Sequence, residues 1–308
     1  MDVGDELNKE APPSAGFFII SKLANNMSYL LLHFDGDITR NHTVSLRTLG
    51  KSLIHLQAAV NRAHLDIRYG EVWKGARLSH EDYIETELWS RPPQEGGYII
   101  DFINDSPKIK ATLSRMINAI TPAVELSKST SLAKAASLVQ QLDLTREQIR
   151  LEILNPIPLE QYIPEASQRP YGDRAINKEI DQLISTIRTP TAGQSTIELT
   201  IGGAKSSTFK FNRTESENFH ELVSNRRLGD PIIFSAKVLE LDSKNKSGRI
   251  LNVVTQREVK INFADEGDFN EAKPFLGLNQ PMAFIGCPIY EGGTFDINGG
   301  DIFFARLL

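Results

Sequence analysis

One cysteine, Cys287, two tryptophans and four methionines in 308 residues leave little room for several kinds of chemistry. A single thiol excludes a disulfide framework within the chain and any zinc site built on several cysteines, and it points to a reducing compartment. Surplus positive charge is missing as well: 34 Lys and Arg stand against 39 Asp and Glu, a formal net charge of −5. A chain of that balance does not coat nucleic acid wholesale, so each basic patch is weighed by itself. Long apolar runs are also lacking. The most apolar early stretch, 17–34, is interrupted by Lys22, Asn25, Asn26 and His33 and is too short and polar to span a bilayer. The first residues are acidic and polar where a leader needs a basic region and an apolar core, so the expected location is the cytoplasm, with no membrane partner.

What is present is an ordinary globular composition, 40% hydrophobic and 24% charged, long enough for about two domains. The stretch 45–70 is the most regular in the chain. Leu46, Leu49, Leu53, Leu56, Val60, Ala63 and Ile67 recur at alternating gaps of three and four, a narrow helical seam. Thr43 or Ser45 suits the N-cap, Gly70 the left-handed C′ position, and Gly50 inside the helix suggests close approach of another backbone. Arg47, Lys51, His55 and Arg62 fall within about 80° of one another opposite the seam, which predicts an apolar back and a basic front.

Around that helix the chain divides into four parts. Residues 1–26 read as a disordered or extended tail. In 27–156 a buried strand at 29–34 precedes the helix, strand-like runs at 83–89 and 98–103 flank a turn-rich loop, and helices begin at Ser106-Pro107 and at 124–142, with Pro122 breaking or kinking between them. Thr145 to Gln148 fits a further capping box. Residues 157–227 form a proline-rich joint with a short helix at 173–187 and a β-hairpin at 197–211, either an insertion or an extension of a neighbouring sheet. In 228–308 the order is three strands, a short helix and two strands, the pattern of a small OB-like barrel, with an SH3-like barrel as the alternative. The expected class is α+β: an N-terminal small sheet with long helices and a C-terminal small β barrel.

Leu30 to Gly36 running into the long helix, and the segments GRILN, REVKINF, FIGCPIYE and GGDIFF within 248–304, resemble a group of uncharacterised two-domain bacterial and prophage proteins. The resemblance implies a bacterial or phage source. It carries no activity and no functional residue.

Searching for chemistry gives mostly negatives. Gly202-Gly203-Ala204-Lys205-Ser206 lacks the first glycine of a phosphate loop and sits in a hairpin. No G-x-S-x-G elbow occurs, and no G-x-G-x-x-G opens a helix after a strand. Cys287 beside Pro288 in an apolar strand reads as a buried thiol. His33, Asp35 and Asp37, or Glu85, Glu87 and Asp101, are the nearest approach to an acid/base or metal cluster, although Asp-Gly-Asp is a common turn composition. No catalytic residue, cofactor or metal ligand is assigned.

Two basic features remain. One is Arg47, Lys51 and Arg62 on the helix, extended by Lys74 and Arg77; the other is Lys244, Lys246 and Arg249 in the first barrel connection, with Arg257 and Lys260 nearby. The expectation is a non-catalytic binding protein for single-stranded nucleic acid, a nucleotide or an acidic protein partner, with Trp73 or Phe234 available for stacking. The alternatives are a structural or assembly protein, and a metal-dependent hydrolase using the His33/Asp35/Asp37 region. Oligomeric state is left open.

Overall fold

The computed structural model describes residues 28–92, 98–104, 106–129, 136–162, 170–297 and 299–308. The tail expected at 1–26 and most of the loop at 91–97 lie outside them. In chain order the elements are β1 (Ser28–Asp35), a two-residue pair β2 (Thr39–Arg40) and β3 (Thr43–Val44), α1 (Leu46–Tyr69), α2 (His80–Glu85), β4 (Trp89–Ser90), β5 (Tyr98–Asn104), α3 (Pro107–Ser129), α4 (Leu138–Arg150), β6 (Ile157–Pro158), α5 (Tyr171–Ile184), β7 (Thr196–Gly202), β8 (Ser206–Phe211), α6 (Arg213–Ser224) and β9 (Arg226–Leu228). The barrel follows as β10 (Ile232–Asp242), β11 (Ser247–Asn252), β12 (Glu258–Asn262), α7 (Glu266–Ala272), β13 (Met282–Glu291) and β14 (Ile302–Leu307).

The first layer is an antiparallel sheet in the order β4-β5-β1-β7-β8. Strand β1 alternates strictly, so Leu30, Leu32 and Phe34 all point to one face. Register extends that face across the sheet: Leu32 lies opposite Ile100 on one side and Leu199 on the other, and Leu199 opposite Phe209. Helices α1, α3, α5 and α6 cover this row and form one core with it. The hairpin read as part of a joint is therefore an extension of the N-terminal sheet, and α5 packs on α1, with His55 meeting Glu179 and Asp66 facing Gly172.

Helix α1 starts on Ser45, whose hydroxyl accepts from the Thr48 amide, and ends on Gly70 in the left-handed region (φ 73°). Its buried stripe is broader than the expected seam, because it faces both the sheet and α5: Ser52, Leu56, Ala59, Val60 and Ala63 are buried, whereas Leu46 at the overhanging start is 85% exposed. Gly50 has open space around it, so no backbone approaches there. Residues 83–85 are helical rather than extended, since Ser79 and Asp82 form a reciprocal capping box that starts α2. Helix α3 runs on through Pro122, which is exposed on a side where water can satisfy the freed carbonyl. Thr145 lies inside α4, its hydroxyl on Gln141 O at 3.0 Å; the cap is Ser137 with Gln140.

The second layer is a closed five-stranded barrel. Its strands run β10-β11-β12-β14-β13, and β13 pairs back to β10. The β12–β14 pairing is parallel and the others antiparallel, with α7 between β12 and β13, which is the OB arrangement. Phe234, Phe284 and Phe304 stack in its interior at centroid distances of 5.5 and 5.7 Å. Core membership cuts across the boundaries expected at 156 and 228. Helix α4 packs Leu142 and Ile149 on the outside of β13 and β14, and β6 joins β10 in parallel, so 138–162 belong with the barrel. No helix among the described residues is long and apolar enough to cross a membrane.

Candidate ligand cleft between the barrel and the 70–77 loop

Pairing register decides what the outer face of the barrel carries. Ile250, Val259 and Ile261 point inward, so their neighbours point outward. Glu240 of β10 lies opposite Arg249 of β11, and Arg249 opposite Lys260 of β12, a row of three charges across three strands. Gly248 allows that close weave, since a Cβ there would stand 2.5 Å from Glu240 O.

Over this face lies the 70–77 loop that follows α1. It is tied at both ends. Arg62 Nη1 donates to Ala76 O at 3.0 Å, and the Lys74 amide donates to Asp296 Oδ2 at 2.8 Å on the β13–β14 connection, while Lys74 Nζ pairs with Asp301. Arg257 lays its guanidinium on the Trp73 ring, 4.3 Å from the centroid. Loop and barrel flank an open cleft of about 490 Å³ lined by Lys74, Glu240, Asp242, Arg249, Glu258 and Lys260, among others.

Charges in the cleft nearly balance. Arg249 is clamped by Glu240 at 2.7 Å and Glu258 at 3.3 Å. Asp242 is held below the usual carboxylate range by hydrogen bonds from Asn245, with Lys260 contributing. Lys244 and Lys246 occupy the β10–β11 turn at the rim, Lys246 with a positive φ of 45°. Lys260 stands on the floor of the cleft near Asp242, and among the described residues it makes no ion pair of the kind that holds Arg249.

The helix cations do not form one patch with these. Arg47 and Lys51 are exposed at the start of α1, and Arg47 lies fifteen residues from Arg62, roughly 22 Å along the axis. Between them His55 Nδ1 meets Glu179 of α5 at 2.7 Å, so the expected basic front is partly a helix–helix contact. Arg62 serves to hold the loop that carries Trp73 and Lys74. Phe234 is buried inside the barrel and presents no face for stacking.

The carboxylates singled out in the sequence are spread apart. Asp35 Oδ1 accepts from the Gly36 amide and Asp37 Oδ2 from the Gln194 amide, both at 2.8 Å, as turn residues do. His33 lies on β1 between Ile99 and Glu198. Asp101 pairs with Arg91 at 3.2 Å, and burial raises its pKa. Glu85 is on α2 with Lys108 and Arg68, and the Glu87 carbonyl accepts from Asn104. Ser114 Oγ, from α3, takes the Ala204 amide, so the Gly202–Lys205 turn is a packing contact.

Sequence reasoning missed a tighter group. His64, Asp82 and Glu85 bring one ligand atom each within 4.8 Å of one another. His64 Nε2 is 3.0 Å from Asp82 Oδ1 and 3.6 Å from Glu85 Oε2. Arg68 Nη1 sits between the same carboxylates, at 2.8 and 3.1 Å, in the position a cation would take. Burial would raise the Asp82 pKa, but hydrogen bonds from Ser79, His64 and Tyr69 outweigh it and hold the carboxyl well below the usual range. The legible signal was Ser79-x-x-Asp82, a capping box just after the end of α1. With its cation already supplied by the chain, the group fastens α2 to α1.

No protein-family model matches the chain, and no curated protein and no solved structure matches it either.

Proposed function

We propose that the chain is a non-catalytic binding protein whose ligand, a nucleotide or a single-stranded nucleic acid, enters the cleft between the barrel face and the 70–77 loop. The reading extends to a cytoplasmic setting and, through the resemblance in its barrel segments, a bacterial or phage source. The observation that carries it is the outer face of β11 and β12, the face on which OB barrels take oligonucleotides, where Lys74 and Gly75 of the loop line one cleft with Arg249 and Lys260, and the Trp73–Arg257 stack holds the loop to the barrel next to it. An aromatic ring layered with a guanidinium favours flat bases, and a lysine on the floor favours a phosphate. The test is a panel of labelled oligonucleotides and nucleotides titrated at low salt against wild type, Lys244→Glu/Lys260→Glu and Arg47→Glu/Lys51→Glu. Loss in the barrel variant alone is the expected result. Binding that persists in it, or no binding at all, sinks the reading and leaves the acidic protein partner.

A second reading, self-assembly, is favoured by one feature. Leu53, Ile54 and Ala58 of α1 form an apolar groove with Leu88 and Phe102, and Ile54 is 68% exposed. Light scattering at tens of micromolar, an ordinary range for such interfaces, distinguishes it: a monomer counts against assembly.

A further inference from the structure

We infer that the seam between α5 and the β13–β14 connection holds one internal water molecule, in a site formed by Arg174 Nε, Asn177 Oδ1 and the carbonyl end of α6. The cavity there is about 10 Å³, room for one water and nothing larger, and it shares no residue with the cleft. Ala123 of α3, Arg174 and Asn177 of α5, Val223 of α6, and Gly292 and Thr294 beyond β13 are among the residues that line it. Two of their polar atoms are out of contact with solvent and have no hydrogen-bond partner among the described residues: Arg174 Nε, a donor, and Asn177 Oδ1, an acceptor on a residue only 3% exposed. Neither role can be exchanged. A guanidinium keeps its protons, and the Asn177 amide is held the right way round because its Nδ2 donates to Ala119 O at 3.0 Å. Three residues apart on α5, the two side chains share one face of the helix. Left unbonded, each would carry the full cost of its desolvation.

Water is the molecule of that size which accepts from the first atom and donates to the second. An anion would be repelled by Asn177 Oδ1 and by Asp173, which also lines the cavity, and a cation by the Arg174 guanidinium. The second hydrogen of the water has an acceptor close by. Val223 is the last residue but one of α6, so its carbonyl is among the four with no donor inside the helix, and it stands 3.2 Å from where a Cβ would sit on Gly292. Gly292, at φ 58°, turns the chain there without filling the space. That gives the water about three hydrogen bonds, the usual complement of a buried one, with the 292–294 turn walling the site on the barrel side.

The experiment looks for this water in crystals and in solution. A high-resolution crystal structure of the full chain should show a peak within about 2.7–3.2 Å of both Arg174 Nε and Asn177 Oδ1. Oxygen-17 relaxation dispersion, which counts waters held inside a protein for longer than it tumbles, should find one fewer in Asn177→Leu, where the acceptor is gone. It should also find one fewer in Ala123→Ser, which adds a hydroxyl to the cavity wall. Asn177→Leu strips Ala119 O of its donor as well, so Ala123→Ser decides the matter if the first variant does not fold. An empty position in the crystal overturns the inference, and so does an anomalous signal that identifies chloride. A peak with no change in the count overturns it too, since that water would be exchanging freely with solvent.

Discussion

Asp82 has no solvent exposure, yet it carries a full set of partners: the Ser79 amide at 2.8 Å, His64 at 3.0 Å, Tyr69 OH at 3.1 Å and Arg68 at 2.8 Å. A buried carboxylate in that position is expensive to strip of its partners and expensive to remove, because each deletion leaves polar groups without water. Asp82→Ala is expected to cost about 3–5 kcal/mol in urea unfolding, since Arg68 and His64 lose their common acceptor. The pH dependence has a definite sign. A carboxyl whose folded pKa is depressed stabilises the fold above its unfolded value, near 3.9, and that contribution fades as pH falls below it, so the acid limb of the wild-type stability curve should flatten in Asp82→Ala. Arg68→Ala tests the other side of the group. It vacates a place among His64, Asp82 and Glu85, so this variant should show a thermal shift with Zn²⁺ that wild type does not, and equal responses would mean Arg68 is not the resident cation. At Cys287, burial pushes the thiol up to about 12, which keeps it protonated; it should react with a disulfide reagent only in denaturant, and fast native modification would contradict its burial.

At the scale of elements, the parts of the fold that were legible are those in which one residue type at one spacing fixes a local structure. The barrel strands and their order could be read because short β-branched and aromatic runs alternate with turn residues, and α1 because its caps and period agree. Partners were not legible. A helical period names the face that is buried but not what it is buried against, so α4 reads the same whether it covers a sheet or a barrel, and Gly50 reads as a contact although its surroundings are open. The candidate cleft was half legible for the same reason: Lys244, Lys246, Arg249, Arg257 and Lys260 share a local sequence, but of these Arg249 and Lys260 line it, and the facing wall, Lys74 and Gly75, comes from far away in the chain. Gly172 shows where such long-range fit leaves a mark. In the first turn of α5 a Cβ would stand 2.6 Å from Asp66 Oδ2, and that carboxylate is held by Arg115 at 2.6 Å, which also binds Asp173 at 2.6 Å. Gly172→Ala must push α5 away from α1 or break the Asp66–Arg115 pair, so despite a better helix propensity it should destabilise by about 1–3 kcal/mol. A stabilised variant in denaturant titration would show that α5 gives way freely.

The whole molecule is two layers whose chains interleave: the sheet layer is built from 28–129 and 171–224, the barrel layer from 138–162 and 226–308. Interleaving by itself does not make two cores unfold together; the contacts between them must also cost more to break than either core can spare. Glu291, at the end of β13, pairs with Arg174 of α5 and with Arg226 of β9, the latter at 2.6 Å. Burial lowers the Arg174 pKa, and its Nε is enclosed without a partner among the described residues, so the ion pair with Glu291, together with Tyr171 and Asp301 nearby, offsets the cost of a largely desolvated guanidinium. Nearby, Lys74 of the sheet layer reaches Asp296 and Asp301 of the barrel layer. Glu291→Ala removes none of the apolar contacts of either core but strands Arg174, a change that costs about 3–5 kcal/mol where a buried pair is broken on one side. The two tryptophans make the consequence measurable. Trp89 lies on β4 of the sheet layer, whereas Trp73 stacks on Arg257 of the barrel, so in a Trp73→Phe background the remaining fluorescence follows the sheet layer while far-ultraviolet circular dichroism follows both. With Glu291 intact the two signals should trace one urea transition, as a cooperative unit does. In Glu291→Ala they should separate, one layer melting before the other. Coincident curves in the variant, merely shifted to lower urea, would show that the layers are coupled by their interleaved chain and apolar contacts, with the Glu291 pair contributing only to stability.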